Sequence, residues 1–320
     1  TEETTIQLDL NNQVQTWIDY FTIRDRERFQ RYLDRGHRYK EVVQTILEEY
    51  DLPKELYYLA MIESGYASHA YSRAHAVGVW QFIRGTGRQY GLDVNYYVDE
   101  RRDPIRSTEA AARYLSDLYN AFQSWELAMA AYNCGERRVL GAIMRGKSRN
   151  FWELVEKRKL PRETRHYIPK FIAAALIGEN PEKYGLKTPT EEPYPNVESV
   201  EVPSPIKLAS VAKNANIDLE LLKTVNPHLR RGITPANQKN YEIWVPSANV
   251  SLVKENNKKL AGLVLSREKY LKQESPHYYR VKRGDNLYDI ALKFRQTVGH
   301  LKRVNGISSN RIFPGQKLRL

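Results

Sequence analysis

A proline-rich segment at residues 188–195 divides this chain into two parts whose sequence patterns differ. Before this segment, apolar residues recur every three or four positions, which predicts amphipathic helices. After it, short β-branched runs alternate with short helical runs. We therefore expect a multidomain chain, with a mainly α domain at 1–187 followed by small α+β modules.

The first part has the pattern of a series of helices. The predicted helical stretches are 14–21, 29–33, 42–47, 53–63, 108–122, 125–132 and 171–177. Pro53 is at an early position of its helix, where proline is tolerated, and Gly178 with Pro181 ends the last helix. The sequence thus predicts a helical domain large enough to bury a substantial core.

Two β-α-α-β patterns of about 45 residues follow and form a weak internal repeat. Each second helix ends at an asparagine, Asn226 or Asn305, a residue that tolerates the left-handed conformation of helix ends. We expect one module at 195–248 and another at 277–320. The Lys- and Asn-rich residues 249–276 are predicted to be a spacer, helical in part. Units this small usually bind a ligand or separate other domains.

Composition narrows the class of protein. The 320 residues are 41% hydrophobic and 28% charged, which is typical of a soluble globular protein, and no run approaches the length of a membrane span. No signal peptide opens the chain, so we expect Thr1 to begin a mature or shortened product. Cys134 is the single cysteine and leaves the redox compartment open.

The net charge of +12 indicates an acidic partner. Nucleic acid, an anionic membrane surface and an acidic cell-wall polymer all fit that charge. The Lys and Arg residues are scattered, and no nucleic-acid-binding motif is present. We therefore do not expect nucleic acid to be the partner.

Glu63 is the strongest candidate for a catalytic residue. It ends the apolar helical run 56–62, just before Ser64 and Gly65. A carboxyl group at the end of a buried helix keeps its proton to a higher pH, as a general acid must. On this run alone, a solvated residue at a helix C-terminus is the other interpretation.

Four short segments place an amide, hydroxyl or carboxyl group beside an aromatic ring. They are 63–66, 78–82, 131–135 and 166–169. Sugars have hydroxyl edges and apolar faces, so this mixture suits a sugar ligand. Taken singly, each segment could equally be part of a core. The sequence has no cluster of metal-ligand spacing, phosphate-binding loop or nucleophile elbow.

Taken together, these segments resemble a known family. Residues 14–177 resemble the catalytic domain of the goose-lysozyme-like lytic murein transglycosylases, and most of all their membrane-bound D type. The matching residues are Glu63, Ser64, 74–82, 99–104, 131–135 and Tyr167. The resemblance implies a lysozyme-like fold for this domain.

The end of the chain resembles a LysM module, which binds N-acetylglucosamine polymers. The segments 283–287, 305–306 and 314–318 carry the likeness. The residues implied to bind glycan are Gly284, Asp285, Asn286, Leu287, Ile312, Pro314 and Gly315. Residues 195–248 resemble a degenerate LysM-like unit, because the Gly-Asp-x-Leu turn is missing there.

The resemblance implies a mechanism with one carboxylate, without cofactor or metal. Glu63 would protonate the oxygen between N-acetylmuramic acid (MurNAc) and N-acetylglucosamine (GlcNAc), then accept the proton of the MurNAc C6 hydroxyl. That hydroxyl would close a 1,6-anhydro ring. The residues implied to contact substrate are Ser64, Tyr66, Gln81, Tyr132, Asn133 and Tyr167. Tyr132 and Asn133 would orient the acetamido group, and Ser64 and Gln81 would hold Glu63 and sugar substituents.

Two other functions stay open. A hydrolase would need a second carboxylate, for which Asp99, Glu100, Asp103 and Glu109 are candidates. Charges alternate over 100–103, which indicates a local ion-pair network instead. A wall-binding protein without activity is the second alternative. The resemblance further implies a monomer on peptidoglycan strands in the periplasm, without a membrane span and anchored to the outer membrane by a lipidated N-terminus.

Overall fold

The computed structural model describes residues 6–268, 270, 278–294 and 296–320. The chain forms two compact units. Unit 1 comprises Thr1–Pro235 and Asn240–Val264, and unit 2 comprises Ala236–Lys239 and Leu265–Leu320. The ends of the predicted domains at residue 1 and at residues 276–277 lie outside the described residues.

Unit 1 begins with a helical domain, as predicted. Its α-helices are α1 Asn12–Asp19, α2 Arg26–Glu49, α3 Tyr57–Ser64, α4 Arg84–Gln89, α5 Pro104–Phe122, α6 Trp125–Cys134, α7 Glu136–Gly146, α8 Phe151–Glu156 and α9 Arg162–Glu179. A π-helical turn, Tyr20–Arg24, extends α1, and a 3-10 turn, Lys54–Leu56, leads into α3. The mainly α class predicted for this domain is confirmed.

The helix α3 lies at the centre of the domain. All six residues from Tyr57 to Ile62 are buried, so this helix is apolar on every side. Helices α2 and α9 pack against α3, while α5 packs on both α2 and α6. The apolar run that ends at Glu63 is therefore a core helix.

One expectation about these helices is wrong. The sequence predicts two helices over 29–47, but the structure has the single helix α2. Gly36, in the middle of α2, packs where a Cβ atom would lie only 2.5 Å from Tyr57 Oη and 3.0 Å from Met61 Cε. The glycine thus allows close contact with α3 without ending the helix.

A second domain of unit 1 has the predicted β-α-α-β order. Its elements are β1 Val197–Pro203, α10 Leu208–Asn214, α11 Leu219–Val225 and β2 Asn240–Pro246. The strands are antiparallel, with Val200 opposite Ile243. Both of these side chains are buried against the two helices, because side chains of one strand alternate between the faces of the sheet.

The first part of the predicted spacer is helical and packs against the strand β1. Its two helices are α12 Val250–Glu255 and α13 Asn257–Ala261. Val253 and Leu260 are completely buried. We therefore extend this module to residue 262, and residues 196–262 are called the first module below.

Unit 2 contains a smaller β-α-α-β domain, also in the predicted order. Its elements are β3 Tyr278–Arg280, α14 Leu287–Lys293, α15 Val298–Asn305 and β4 Lys317–Arg319. The strands pair with Tyr279 opposite Leu318. In the described part of the chain, no helix is long and apolar enough to cross a membrane.

Candidate active site

Glu63 is the penultimate residue of α3, and the chain turns sharply behind it. Gly65 ends the helix at a φ of +56°, in the left-handed region that glycine favours. A Cβ atom on Gly65 would lie 2.2 Å from the ring of Tyr32. Both observations require glycine here, which explains why the Glu63-Ser64-Gly65 sequence follows the apolar run.

Glu63 is half-buried, and its carboxyl group has one hydrogen-bond partner among the described residues. Tyr167, on α9, donates its hydroxyl proton to Glu63 Oε1. Burial raises the pKa of Glu63, while the hydrogen bond from Tyr167 and the positive charge of Lys170 act in the opposite direction. The raised pKa favours a protonated carboxyl group that solvent and ligands can still reach.

The loop between α3 and α4 is held against Glu63 by its backbone carbonyls. Ser64 Oγ donates to the carbonyl of Val79 at 2.7 Å, and Tyr132 Oη donates to the carbonyl of Trp80, also at 2.7 Å. The indole of Trp80 is buried and donates to Thr108 Oγ1 at 2.8 Å. Ser64 and Tyr132 thus fix the loop that forms one wall of the site.

Gln81 lies on the same loop in a strained conformation. Its φ is +50°, and its side-chain amide donates to the carbonyl of Gly78 at 2.8 Å. Arg101 holds the loop from below, with bonds to the carbonyls of Phe82 and His75 at 3.0 Å each. Non-glycine residues at positive φ cluster at functional sites, in agreement with a role for Gln81.

The last turn of α6 carries two further candidate residues, Tyr132 and Asn133. Burial and the nearby charge of Glu63 raise the pKa of Tyr132. Asn133 accepts a hydrogen bond from Thr164 Oγ1, on α9, at 2.8 Å. Its side-chain NH₂ group has no partner among the described residues, so it can donate to a ligand.

The structure therefore brings Glu63, Ser64, Gln81, Tyr132, Asn133 and Tyr167 together, but not Tyr66. The ring of Tyr66 is 1% exposed and stacks on Tyr39 and Tyr57. Its hydroxyl donates to the carbonyl of Tyr57 at 2.7 Å. The prediction that Tyr66 contacts substrate is therefore corrected, because this side chain belongs to the core.

Three of the four candidate second carboxylates are used in ion pairs. Asp99 accepts two hydrogen bonds from Arg101, at 2.8 and 2.9 Å. Glu100 pairs with Arg106 at 2.6 Å and accepts from Tyr241 Oη at 3.0 Å. The ion-pair network expected over 100–103 is thus present.

Asp103 is completely buried and joins the helical domain to the first module. It caps α5 by accepting from the backbone N–H of Ile105, and Trp244 Nε1 donates to its Oδ2 at 2.6 Å. His228 Nδ1 lies 2.9 Å from the same oxygen. Burial opposes the charge of Asp103, but His228 and Arg106 stabilise it and lower its pKa overall.

Glu109 has no ion pair within the described part of the chain, and burial raises its pKa. It lines a cavity of about 240 Å³ together with Trp244 and Glu242 of the first module. None of the residues around Glu63 lines this cavity. Within the described residues, no group of three or more His, Cys, Asp or Glu side chains could hold a metal ion.

In unit 2, the candidate glycan-binding residues mainly build a turn. Gly284 and Gly315 have φ values of +93° and +87°. Asp285 accepts from Tyr279 Oη at 2.7 Å, Asn286 caps α14, and Leu287 is 2% exposed. Leu287 is therefore a core residue and not a surface contact.

Of the other candidates in unit 2, Ile312 packs partly buried on the core, and Pro314 is exposed. Sequence reasoning missed two exposed aromatic residues beside them, Tyr288 and Phe313, each 68% exposed. The signal in the sequence that could have identified them is an aromatic residue close to each of the two glycine-containing turns.

Comparison with known proteins assigns each of these domains to a family. Three family descriptions match: "Transglycosylase SLT domain" at 43–155, "Lytic transglycosylase MltD, LysM-like domain" at 196–262 and "LysM domain" at 279–320. The chain is 34% identical to membrane-bound lytic murein transglycosylase D of Escherichia coli K12 over 317 residues, which is 93% of this chain and 68% of that protein.

Two further matches cover smaller parts. N-acetylmuramoyl-L-alanine amidase sle1 of Staphylococcus saprophyticus is 48% identical over 42 residues, 13% of each chain. The solved structure of an inactive mutant of the lytic transglycosylase Slt from Pseudomonas aeruginosa covers 47% of this chain and 24% of its own, at 23% identity and a TM-score of 0.39.

A helical domain that matches the transglycosylase family, with Glu63 at the end of its central helix, is followed by two LysM-type modules, and this combination defines a peptidoglycan lytic transglycosylase. Within that class, the chain belongs to the family of membrane-bound lytic murein transglycosylase D.

Proposed function

We propose that this protein cleaves the β-1,4 bond between MurNAc and GlcNAc in peptidoglycan strands and leaves 1,6-anhydro ends. The observation that carries this proposal is the carboxyl group of Glu63, which combines a raised pKa with a hydrogen bond from Tyr167. Asp99, Glu100 and Asp103 are held in ion pairs. This arrangement favours one carboxylate acting twice over two acting together.

In the first step, Glu63 donates its proton to the glycosidic oxygen as the bond to the MurNAc anomeric carbon breaks. GlcNAc then leaves with a free C4 hydroxyl group. The developing positive charge lies on the MurNAc ring, where the acetamido group assists. We assign Asn133 to the acetamido oxygen, because its NH₂ group is available to donate, and Tyr132 to the ring beside it.

In the second step, the ionised Glu63 accepts the proton of the C6 hydroxyl group of the same MurNAc. The C6 oxygen bonds to the anomeric carbon, so no water is consumed and Glu63 regains its proton. Intramolecular attack has an entropic advantage, because the nucleophile is already positioned on the substrate. Tyr167 stabilises the ionised form of Glu63 between the two steps.

A sharp test is mass spectrometry of the soluble products from isolated peptidoglycan. We expect muropeptides lighter by one water than the hydrolysed form. Glu63→Gln should abolish them while leaving the circular dichroism spectrum unchanged. Glu109→Gln is the matched control, since Glu109 is also half-buried with a raised pKa. Reducing MurNAc ends that disappear with Glu109→Gln would instead support a two-carboxylate hydrolase.

We also propose the setting in which this activity works. The E. coli relative is described as membrane-bound, and peptidoglycan lies in the periplasm of such cells. A lipidated N-terminal segment would hold the enzyme at the outer membrane. The excess of positive charge supports retention on an anionic wall, and retention that is insensitive to salt would contradict that part of the proposal.

A further inference from the structure

A cavity of about 620 Å³ lies between the helical domain and the first module, within unit 1. The helical domain supplies Tyr39, Ser68, His69 and Arg102 to its lining. The turn that follows α11 supplies most of the opposite side. We call this space the cationic cavity, because of the residues described next.

Four cationic side chains line the cavity, and no Asp or Glu is among its lining residues. The four are Arg102, Lys223, Arg230 and Arg231. Arg230 and Arg231 have no carboxylate partner within the described part of the chain, and Arg231 lies over the ring of Tyr96 at 3.8 Å. Lys223 is exposed, and Glu220 is its one ion-pair partner among the residues that the structure describes.

The positive charges around the cavity repel one another. The buried Nε of Arg102 lies 3.9 Å from Asp99 Oδ2 and has no hydrogen-bond partner in the described ranges of the chain. Burial lowers the pKa of Arg102, Asp99 opposes that effect, and the charges of Arg230 and Arg101 lower the pKa further. A bound anion would relieve the repulsion, and guanidinium groups are well suited to carboxylates.

The cavity shares its supporting backbone with the Glu63 site. Ser68 and His69 belong to the turn that follows α3. Arg102 follows Arg101, whose backbone packs closely on Gly78: a Cβ atom added to Gly78 would lie 1.7 Å from the Arg101 carbonyl oxygen. Gly78 belongs to the loop that Ser64 and Tyr132 hold in place. A ligand in the cavity would therefore lie beside the segments that form the active-site wall.

We propose that the cationic cavity binds the carboxylates of the peptide stem on a MurNAc residue of the bound strand. This proposal rests on the function proposed above. Stems are short acidic peptides, and an extended chain spans roughly 3.5 Å per residue, so a few residues bridge more than 10 Å. Tyr39, Pro227 and Leu229 provide apolar contacts for small side chains of the stem. A cavity of this shape favours a peptide over a flat membrane surface.

The test compares two double variants on two substrates. Lys223→Gln with Arg230→Gln removes two exposed cations from the cavity. Lys207→Gln with Lys213→Gln removes two exposed cations from the same module outside it. The substrates are glycan strands with their stems and the same strands stripped of stems by an amidase.

We expect the cavity variant to raise KM on stem-bearing strands about five- to tenfold, with kcat unchanged, through the loss of two exposed charge contacts. KM on stripped strands should not change, and the control variant should match the wild type on both. Equal effects on the two substrates, or none, would overturn the proposal.

A direct binding measurement distinguishes failure of this proposal from failure of the proposed function. Calorimetry with released stem peptides requires no cleavage, so it gives a result even if the wild type cleaves nothing. We expect the cavity variant alone to lose affinity. Unchanged peptide affinity in the cavity variant would overturn the proposal. If the cavity variant instead lost affinity only for phosphatidylglycerol vesicles, the cavity would be a lipid-headgroup site, and the proposal would be overturned as well.

Discussion

As the proposed general acid, Glu63 has to meet two conflicting requirements. A general acid must be buried enough to keep its proton, yet exposed enough to reach the substrate. Placing the carboxylate on the last turn of a fully buried helix meets both, since the helix is covered but its end opens to the site. Tyr167 then limits how far the pKa rises.

Removal of the Tyr167 hydroxyl should change the pH dependence of cleavage. Its hydrogen bond favours ionised Glu63, so Tyr167→Phe should raise the pKa of Glu63. Activity needs the protonated acid and falls as pH rises through that pKa. We therefore expect the alkaline limb of the kcat/KM profile to move to higher pH.

Tyr66→Phe is the matched control for that profile. Like Tyr167→Phe, this variant loses a buried hydrogen bond, worth about 1 kcal/mol. The Tyr66 hydroxyl, however, donates to the carbonyl of Tyr57 and not to Glu63. This control should lower stability and leave the alkaline limb in place. If both variants moved the limb equally, general loosening of the domain would account for it.

At the scale of elements, the loop between α3 and α4 converts a helix end into a site. It is fixed by Ser64, Tyr132 and Arg101 through its carbonyl oxygens, so its geometry does not depend on its own side chains alone. Gly78 is the point where the loop crosses the 3-10 turn Glu100–Arg102. Without a Cβ atom, the two backbones can lie in contact.

Gly78→Ala should displace this loop. Its φ is +83°, and the new Cβ atom would lie 1.7 Å from the carbonyl oxygen of Arg101, which is backbone and cannot rotate away. We expect a loss of more than about 2 kcal/mol of unfolding free energy, because left-handed strain and a backbone clash add. Cleavage should fall with it, as measured by chemical denaturation and product release.

Gly91→Ala separates strain from the clash. Gly91 has a similar φ, +88°, but its nearest neighbour would be the flexible end of Arg113 at 3.8 Å. We expect about 1 kcal/mol of destabilisation and normal activity. A Gly78→Ala variant as mild as Gly91→Ala would show that the loop has room to shift.

Local pattern predicted most elements but not their extent. Helical patterns mark 29–33 and 42–47 within α2 and 108–122 within α5. They do not show that α2 continues through Gly36, because the contact that explains this glycine is with Tyr57, 21 residues later. Residues 250–261 are rich in Lys and Asn, and three apolar side chains among them, Val250, Val253 and Leu260, are buried. A pattern of two or three apolar positions among polar ones does not distinguish a spacer from a packed helix.

The same limit applies at the scale of the whole molecule. Asp103 follows a charged segment, and the sequence indicates an ion-pair network there. Its partners His228 and Trp244 are more than 120 residues away, so no local pattern identifies the interface. The apolar run before Glu63, in contrast, is a local pattern, so the buried helix that ends there was predictable. The catalytic role predicted for Glu63 depends in addition on the resemblance of the other segments.

Asp103→Asn should loosen the first module from the helical domain. Asparagine still caps α5, so the helix itself should persist. The buried contacts with His228 and Arg106 lose their charge, and we expect about 2–4 kcal/mol of destabilisation. Calorimetry should show a lower first transition, with the two domains of unit 1 melting separately.

Asp218→Asn is the control for that substitution, since Asp218 caps α11 through the backbone N–H of Leu221 at an exposed position. Asparagine and aspartate cap almost equally well, so we expect almost no change. A single unchanged transition in the Asp103→Asn variant would mean that the interface does not depend on its charge.

Unit 2 should contribute retention on the wall and not turnover. Truncation after Val264 removes the LysM domain and leaves the packed helices α12 and α13 in place. Because a second wall contact raises the effective concentration of the first, we expect affinity for isolated sacculi to fall about tenfold while kcat on short glycan strands stays the same. Truncation after Asn249 is the informative comparison: it also removes Val253 and Leu260, so it should destabilise the first module and lower turnover. Sedimentation with sacculi and product analysis would measure both quantities. Undiminished sacculus binding after truncation at Val264 would assign wall retention to unit 1 instead.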